Sequence, residues 1–485
     1  MSVTAIIVTA YFAIMIGWGA YFFIKNKRSG SITLEGQFVG TRSYSASYLL
    51  ASLIAVWGSN NTLLAAAQSG YESGISGVIW YSAGIIIPLL LFTWPLNIPT
   101  RIREFFPKGL TIGDVIGERY DEKSRIVALV ILFTSNILFI ISIVLATGII
   151  LKSLLGISLS AAIIIGGIVM IAYTALGGLE SLMYGHVFQL LLAGTAVVVA
   201  ISISVAEFSL SELIHQISIN SDEMLNVVAW GPSTMLSFFI ANVGFIFAAP
   251  ILYQLAFAGK NNKEVTLAFR LFPILWAPFA VGTSIMGMIA FLLYPNIMGQ
   301  DAAMTLVANI FPEWAAILFF LGGLALVFST ADATLNNLAS LVIFDIYKKF
   351  SKTEITSKKA STISMTTIVL LGVIGIVGAL NFGDGVLALL ILNGTVNIPM
   401  IFAVVLGLYW KRTHPTAAFL GMLLGIISVF ILYFGFNKSI YASFTSLIVS
   451  VVIFIVGTLL LTNKDTDYIT PLINKNNSKG DDNVA

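Results

Sequence analysis

Cysteine is absent from all 485 residues. That excludes disulfides, thiolate nucleophiles and Cys-built metal sites. Histidine is scarce: His186, His215 and His414 are the only three. No second His or Cys accompanies His186, so nothing around it resembles a zinc-type centre. Charge is scarce as well. Asp, Glu, Lys and Arg make up 10% of the chain, against about 25% in soluble domains. A net charge of +2 is too small to point to nucleic acid or an acidic partner. What fills the chain instead is apolar: 58% hydrophobic residues and a mean hydropathy of +0.96. Most of the chain must face lipid or other apolar helices.

A bilayer core takes about 20 apolar residues per helix. On that measure the sequence predicts an all-α membrane protein with about thirteen transmembrane helices. They fall near 3–24, 46–69, 75–98, 124–151, 158–176, 179–206, 233–258, 267–294, 313–346, 362–380, 385–409, 415–436 and 439–462. Barrel strands are shorter and alternate. The first stretch has no basic flank before it, and Lys25, Lys27 and Arg28 follow it, so it reads as a spanning helix rather than a cleaved signal. One membrane domain over 1–462 and a polar cytoplasmic tail over 463–485 are expected, with no appended soluble module.

The basic residues orient this set. With the N-terminus outside, every Lys and Arg except Lys152 and Lys438 falls in an inside segment. The outside loop 207–232 carries Glu207, Glu212, Asp222 and Glu223 but no Lys or Arg. This is the positive-inside pattern, and it places the C-terminus in the cytoplasm of a cell-membrane protein.

Two predicted spans contain breaks. The second reads "LLASLIAVWGSNNTLLAAAQSGY", with Trp57-Gly58-Ser59-Asn60-Asn61 at its centre, a poor helix-forming run. The seventh is interrupted by Gly244 and Pro250, and proline removes a helical hydrogen bond. Glycine and proline often only kink membrane helices. However, the two spans lie five helices apart, an odd offset that inverts the second unit. Broken helices at matching positions of inverted units point to a transporter's central site.

The ninth span holds "FSTADATLNNLASLVIFDIYKK". Asp332 is an acid well inside a span, a functional-site candidate by default. Ser329, Asp332 and Asn336 share one helix face. The hydroxyls of Ser329 and Thr330, near free carbonyls, suit a hard monovalent cation. The alternative is that they only hydrogen-bond the preceding turn.

Four stretches, in order along nearly the whole chain, resemble the sodium:solute symporter family: "FPKGLTIGDVIGERYDEKSR", "YTALGGLESLMYGHVFQ", "FSTADATLNNLASLVIFDIYKK" and "VVLGLYWKRTHPTAAFLGMLLG". The resemblance implies a leucine-transporter-type fold. Two inverted five-helix repeats, about 46–206 and 233–409, are joined by one N-terminal and two C-terminal helices. It also implies sodium-driven uptake of a small organic solute, with sodium as co-substrate and no resident cofactor. Carried over by position, Ser329 and Thr330 give side-chain oxygens to sodium, and Ala55, Gly58 and Leu326 give backbone carbonyls. The solute is expected beside the same break, near Ser59, Asn60, Asn61, Thr62, Asn242 and Phe245, with Asn136, Asn393 and Asn397 as further candidates. Each asparagine has an alternative role as an interhelical hydrogen bond. No Lys or Arg enters this set, which favours a neutral or zwitterionic solute.

One position departs from the family. Many members have Thr-Asp where this chain has Gly185-His186; Tyr184 and Gln189 keep the frame. Loss of the acid lowers the negative potential near a bound cation unless Asp332 compensates. Three readings of His186 stand: a neutral, hydrogen-bonded spacer, a proton-coupling group or a solute contact. His186, Asp332 and Gln189 are therefore the candidate coupling residues. The main expectation is a sodium-coupled symporter, and the second is a proton-coupled carrier on the same fold. A membrane sensor would need an output domain. An enzyme would need a nucleophile–base pair, metal motif or phosphate loop, and none is legible. The solute, the ion and the oligomeric state are not readable from the sequence.

Overall fold

The computed structural model describes residues 3–29, 42–58, 61–208, 210–350, 355–382, 385–436, 439–463 and 466–470. Among them every regular element is helical, apart from one parallel bridge between Tyr44 and Gly259. Helices are what such apolar segments must form, because hydrocarbon offers no partner to a backbone N–H or C=O.

Eleven helices among the described residues are long and apolar enough to cross a membrane, or up to twelve if the bent pair Gly385–Asn397 and Met400–Tyr409 is one span. Thirteen segments were expected, and the difference has two local causes. The helix Ala46–Trp57 has only 12 residues, too short to cross alone. Beyond it, the apolar run Thr62–Phe105 counts once, although non-helical Gly74, with φ 55° and ψ −135°, parts it where the second and third segments were expected to meet. That backbone conformation is open only to glycine. The fifth and sixth segments lie on one helical run, Leu159–Glu207, of 49 residues. It would be about 74 Å long if straight, more than twice the hydrocarbon thickness of about 30 Å, and it supplies two apolar spans.

Helix pairs approach closely where small residues meet. A Cβ on Gly70 would stand 1.9 Å from Ser284 O, and one on Gly287 would stand 1.9 Å from Ala67 O. Thus Ala66–Thr93 and Asn262–Leu293 cross at backbone contact, as packed membrane helices do. Glu313–Ser340 is buried along most of its length. It packs on Leu159–Glu207, on Glu122–Leu155 and on Ala46–Trp57, so its polar residues lie at the centre of the molecule.

The break in the seventh span falls at Ala249–Pro250. Pro232–Ala248 ends, Ala249 is extended, and Pro250–Ala258 begins. Proline disfavours helical geometry in the residue before it and suits the first helical position after it. The Phe247 carbonyl freed there accepts from Tyr253 Oη at 2.7 Å. Gly244, the other expected interruption, lies inside a continuous helix. There it permits contact with Gly394, whose carbonyl oxygen would be 2.6 Å from an added Cβ.

Candidate functional site

The first broken helix stops at Trp57, with Gly58 N donating back to Ile54 O. A helix end leaves carbonyls without intrahelical partners. Here two of them meet the ninth span. Ser329 Oγ lies 2.8 Å from Ala55 O and 2.7 Å from Leu326 O. Thr330 Oγ1 lies 2.7 Å from Val56 O and 3.0 Å from Leu326 O. Each hydroxyl has one proton and two carbonyl neighbours, so the cluster holds more lone pairs than protons. An oxygen-rich, fully buried site of this kind can hold a hard cation. Ala55, Leu326, Ser329 and Thr330 come together here. Gly58 adjoins through a Leu326 methyl, 3.1 Å from where its Cβ would be. Val56, whose carbonyl reaches Thr330, was not foreseen; backbone donors carry no side-chain signature.

His186 reaches the same cluster from Leu159–Glu207. Its Nε2 lies 3.1 Å from Ser329 O, and its Nδ1 lies 2.5 Å from Ser52 Oγ. A carbonyl only accepts, so Nε2 carries the proton and donates to it. In the neutral ring Nδ1 then accepts from Ser52, and in the charged ring it would donate to the same hydroxyl, so both nitrogens are engaged in either state.

Asp332 is fully buried one turn further along. Its Oδ1 accepts from Asn336 Nδ2 at 2.6 Å. Tyr173 neighbours both Asp332 and Gln189. Even so, Asp332 Oδ2, Tyr173 Oη and both amide atoms of Gln189 make no hydrogen bond of good geometry.

A cavity of about 20 Å³ lies beside the two breaks. Val56 and Trp57 line it from the first, and Ala249, Pro250 and Ile251 from the second. Phe139 and Phe245 add aromatic walls, and Asn136, Thr334, Asn337 and Asn397 add polar groups. No charged side chain lines it. Among the sequence-stated solute candidates, Phe245, Asn136 and Asn397 line it. Asn393 stands behind, accepting from Asn397 Nδ2 at 3.2 Å. Asn242 does not line the cavity, and its Nδ2 donates to Phe238 O at 2.9 Å.

Thr62 does not line the cavity either. Its hydroxyl donates to Trp57 O at 3.2 Å and accepts from Trp276 Nε1 at 2.8 Å, while its carbonyl accepts from Thr283 Oγ1 at 2.5 Å. It closes the backbone break rather than facing a solute. Ser59 and Asn60 lie outside the described residues, and Asn61 opens the π-helical turn Asn61–Ala65. Trp57, Phe139, Thr334 and Asn337 were missed as cavity residues. Trp57 stands at a break, and Thr334 and Asn337 stand one and two helical turns beyond Thr330; Phe139, inside Glu122–Leu155, carried no such signal.

Comparison with known proteins gives one family. Residues 37–425 match the sodium:solute symporter family. The sodium/pantothenate symporter of Haemophilus influenzae is 23% identical over 91% of this chain and 94% of its own length. The urea-proton symporter DUR3 of Oryza sativa subsp. japonica is 22% identical over 85% of this chain and 64% of its own length. Among solved structures, the substrate-bound, outward-open state of a Na+-coupled sialic acid symporter superposes with a TM-score of 0.80. It is 21% identical and covers 95% of this chain and 98% of that one. The shared architecture is the leucine-transporter-type fold.

Proposed function

The chain belongs to the sodium:solute symporter family, and we propose that it takes up a small neutral or zwitterionic organic solute, driven by a sodium gradient. The observation that carries this reading is the cluster of Ser329 Oγ and Thr330 Oγ1 with the carbonyls of Ala55, Val56 and Leu326. It joins the broken helix Ala46–Trp57 to the ninth span. A cation drawn to those oxygens would hold the two helices together. Trp57, at the end of the same broken helix, walls the cavity, so cation and solute would stabilise one arrangement of one element. Binding of each then favours binding of the other, which is what coupling requires. The charge-free lining supports a solute without net charge. The arrangement of basic residues supports a cytoplasmic C-terminus in the cell membrane.

The test is uptake into proteoliposomes, with a sodium gradient and a proton gradient imposed separately. Sodium alone should drive accumulation. Ser329→Ala should raise the sodium concentration for half-maximal uptake about tenfold, the scale of one lost ligand worth about 1.4 kcal/mol. Accumulation driven only by protons would overturn the sodium assignment.

A second reading, proton coupling, is favoured by one observation: Asp332 is a fully buried intramembrane carboxyl with Tyr173 beside it, and such groups serve in proton relays. A relative named a urea-proton symporter exists in the family. The same two-gradient measurement separates the readings.

A further inference from the structure

We propose that segment 467–470 is a regulatory strap: docked on the turn 410–414, it strengthens cation binding at the Ser329–Thr330 cluster, and released, it weakens that binding. The proposal rests on that cluster being the sodium site.

Beyond the helix Ser439–Leu461 the sequence offers a polar tail, yet 467–470 is a built turn. Asp467 Oδ1 accepts from the backbone N–H groups of Ile469 and Thr470, both at 2.9 Å, and its Oδ2 accepts from Thr470 Oγ1 at 2.7 Å. An aspartate that bonds the backbone two residues on closes a turn by itself. The turn is seated on 410–414. Tyr468 N donates to Lys411 O at 2.9 Å, and Lys411 Nζ donates to Asp467 Oδ2 at 2.8 Å. The rings of His414 and Tyr468 meet edge-on, 6.3 Å apart. Ile469 is only 4% exposed. Backbone, charge and apolar burial hold the segment together.

The turn beneath the strap is the socket of Arg119, a buried residue. Its Nε donates to Gly407 O at 2.6 Å, and its Nη2 donates to Trp410 O at 3.4 Å and to Thr413 Oγ1. All three acceptors are neutral, and a buried guanidinium gains from an anion nearby. Asp467 supplies a carboxylate charge that favours it. Arg119 ends the helix Ile112–Arg119. Just before that helix, Thr111 Oγ1 donates to Asp345 Oδ2 at 2.7 Å. Asp345 lies in the π-helical turn Leu341–Tyr347, which continues the helix carrying Ser329 and Thr330. One short helix therefore joins the socket of the strap to the helix of the cation cluster. An exposed ion pair such as Lys411–Asp467 is weak, so the strap can leave and return. A strap and a cation that favour one arrangement each strengthen the binding of the other.

Both directions of that linkage are measurable on the purified full-length protein, without knowledge of the solute. The chain has no cysteine, so each introduced thiol is the only one. Buried Ile469→Cys should react with N-ethylmaleimide at least tenfold more slowly than exposed Thr470→Cys. Sodium chloride in place of choline chloride should slow Ile469→Cys further and leave Thr470→Cys unchanged. Conversely, the sodium concentration giving half of the rise in melting temperature should increase about fivefold in Asp467→Ala and in Ile469→Ser, the low end of usual coupling between sites. Ile469→Ser changes no charge, so a shift shared by both variants is not a surface-charge effect. The strap is overturned if Ile469→Cys reacts as fast as Thr470→Cys, if sodium does not slow it, or if only Asp467→Ala shifts the sodium response. A wild-type sodium response that both variants keep unaltered overturns the strap alone. A wild type whose melting ignores sodium overturns the cluster as a sodium site and the strap with it.

Discussion

At the scale of single residues, His186 carries the most information. The sequence marked it as an imidazole where relatives have an acid. Which nitrogen is protonated could not be read there, because that depends on two partners far away in the chain, Ser52 and Ser329. With Nε2–H donating to the Ser329 carbonyl, the ring fills the place of an acid without adding negative charge. His186→Asp would set a carboxylate against that carbonyl, two acceptors facing each other, beside the proposed cation oxygens. A cation is what relieves such a contact. The variant should therefore bind sodium about tenfold more tightly, roughly the 1.4 kcal/mol that a screened charge supplies at this range. The sodium-dependent rise in melting temperature of the purified protein measures it. An unchanged sodium response would make the ring a spacer without electrostatic consequence. Ser52→Ala, which removes the hydroxyl partner of Nδ1, should cost about 1 kcal/mol of stability and leave the sodium response in place.

At the scale of elements, the breaks in two helices organise the site, and they were unequally legible. The run Trp57-Gly58-Ser59-Asn60-Asn61 announces its break through poor helix formers, and the described helix does end at Trp57. Pro250 likewise announces its own, since proline acts on the residue before it wherever it stands. Gly244 was misleading because glycine has two uses. Here its missing Cβ serves the contact with Gly394, and the helix passes through unbroken. The thirteen expected spans are not matched one for one, because Ala46–Trp57 is too short to qualify alone and Thr62–Phe105 counts once, yet Gly74 breaks the helix where the second and third segments were expected to part. Pro250 gives a clean test of whether the break matters. Pro250→Ala restores an N–H and removes the ring clash, an effect of about 3 kcal/mol in a helix interior. The helix should tend to close across Ala249. The purified variant should melt at a higher temperature, while uptake should fall more than tenfold, because the cavity wall at Ala249–Ile251 is built by the break. Full uptake in a stabilised variant would show that the break is only a kink.

At the scale of the whole molecule, the ties at the two ends set what must move. At the end carrying the basic loops, Thr111 Oγ1 donates to Asp345 Oδ2 at 2.7 Å, and Arg125 Nη1 stands 3.8 Å from Asp345 Oδ1. These contacts fasten the loop after the third segment to the end of the ninth. At the opposite end, Lys152 Nζ meets Asp301 Oδ2 at 2.9 Å. Lys152 was one of two exceptions to the positive-inside pattern, and the pairing gives it a reason. It fastens the end of Glu122–Leu155 to the turn Gly299–Asp301, which leads into Ala302–Ile310. As a half-exposed ion pair it contributes little stability, about 0–1 kcal/mol, so Lys152→Ala alone should leave the melting temperature almost unchanged. Its value is as a ruler for movement. If solute enters past this turn, the two elements must part to admit it. Because the chain has no cysteine of its own, Lys152→Cys with Asp301→Cys introduces the only two thiols. A short bis-maleimide bridging them should stop uptake in proteoliposomes, whereas either single variant treated alike should keep it. Solute bound before cross-linking should remain trapped, released neither by dilution nor by removing sodium from that side. Uptake that continues through a completed cross-link would mean that the Gly299–Ile310 region does not open, and the solute's path would have to lie elsewhere.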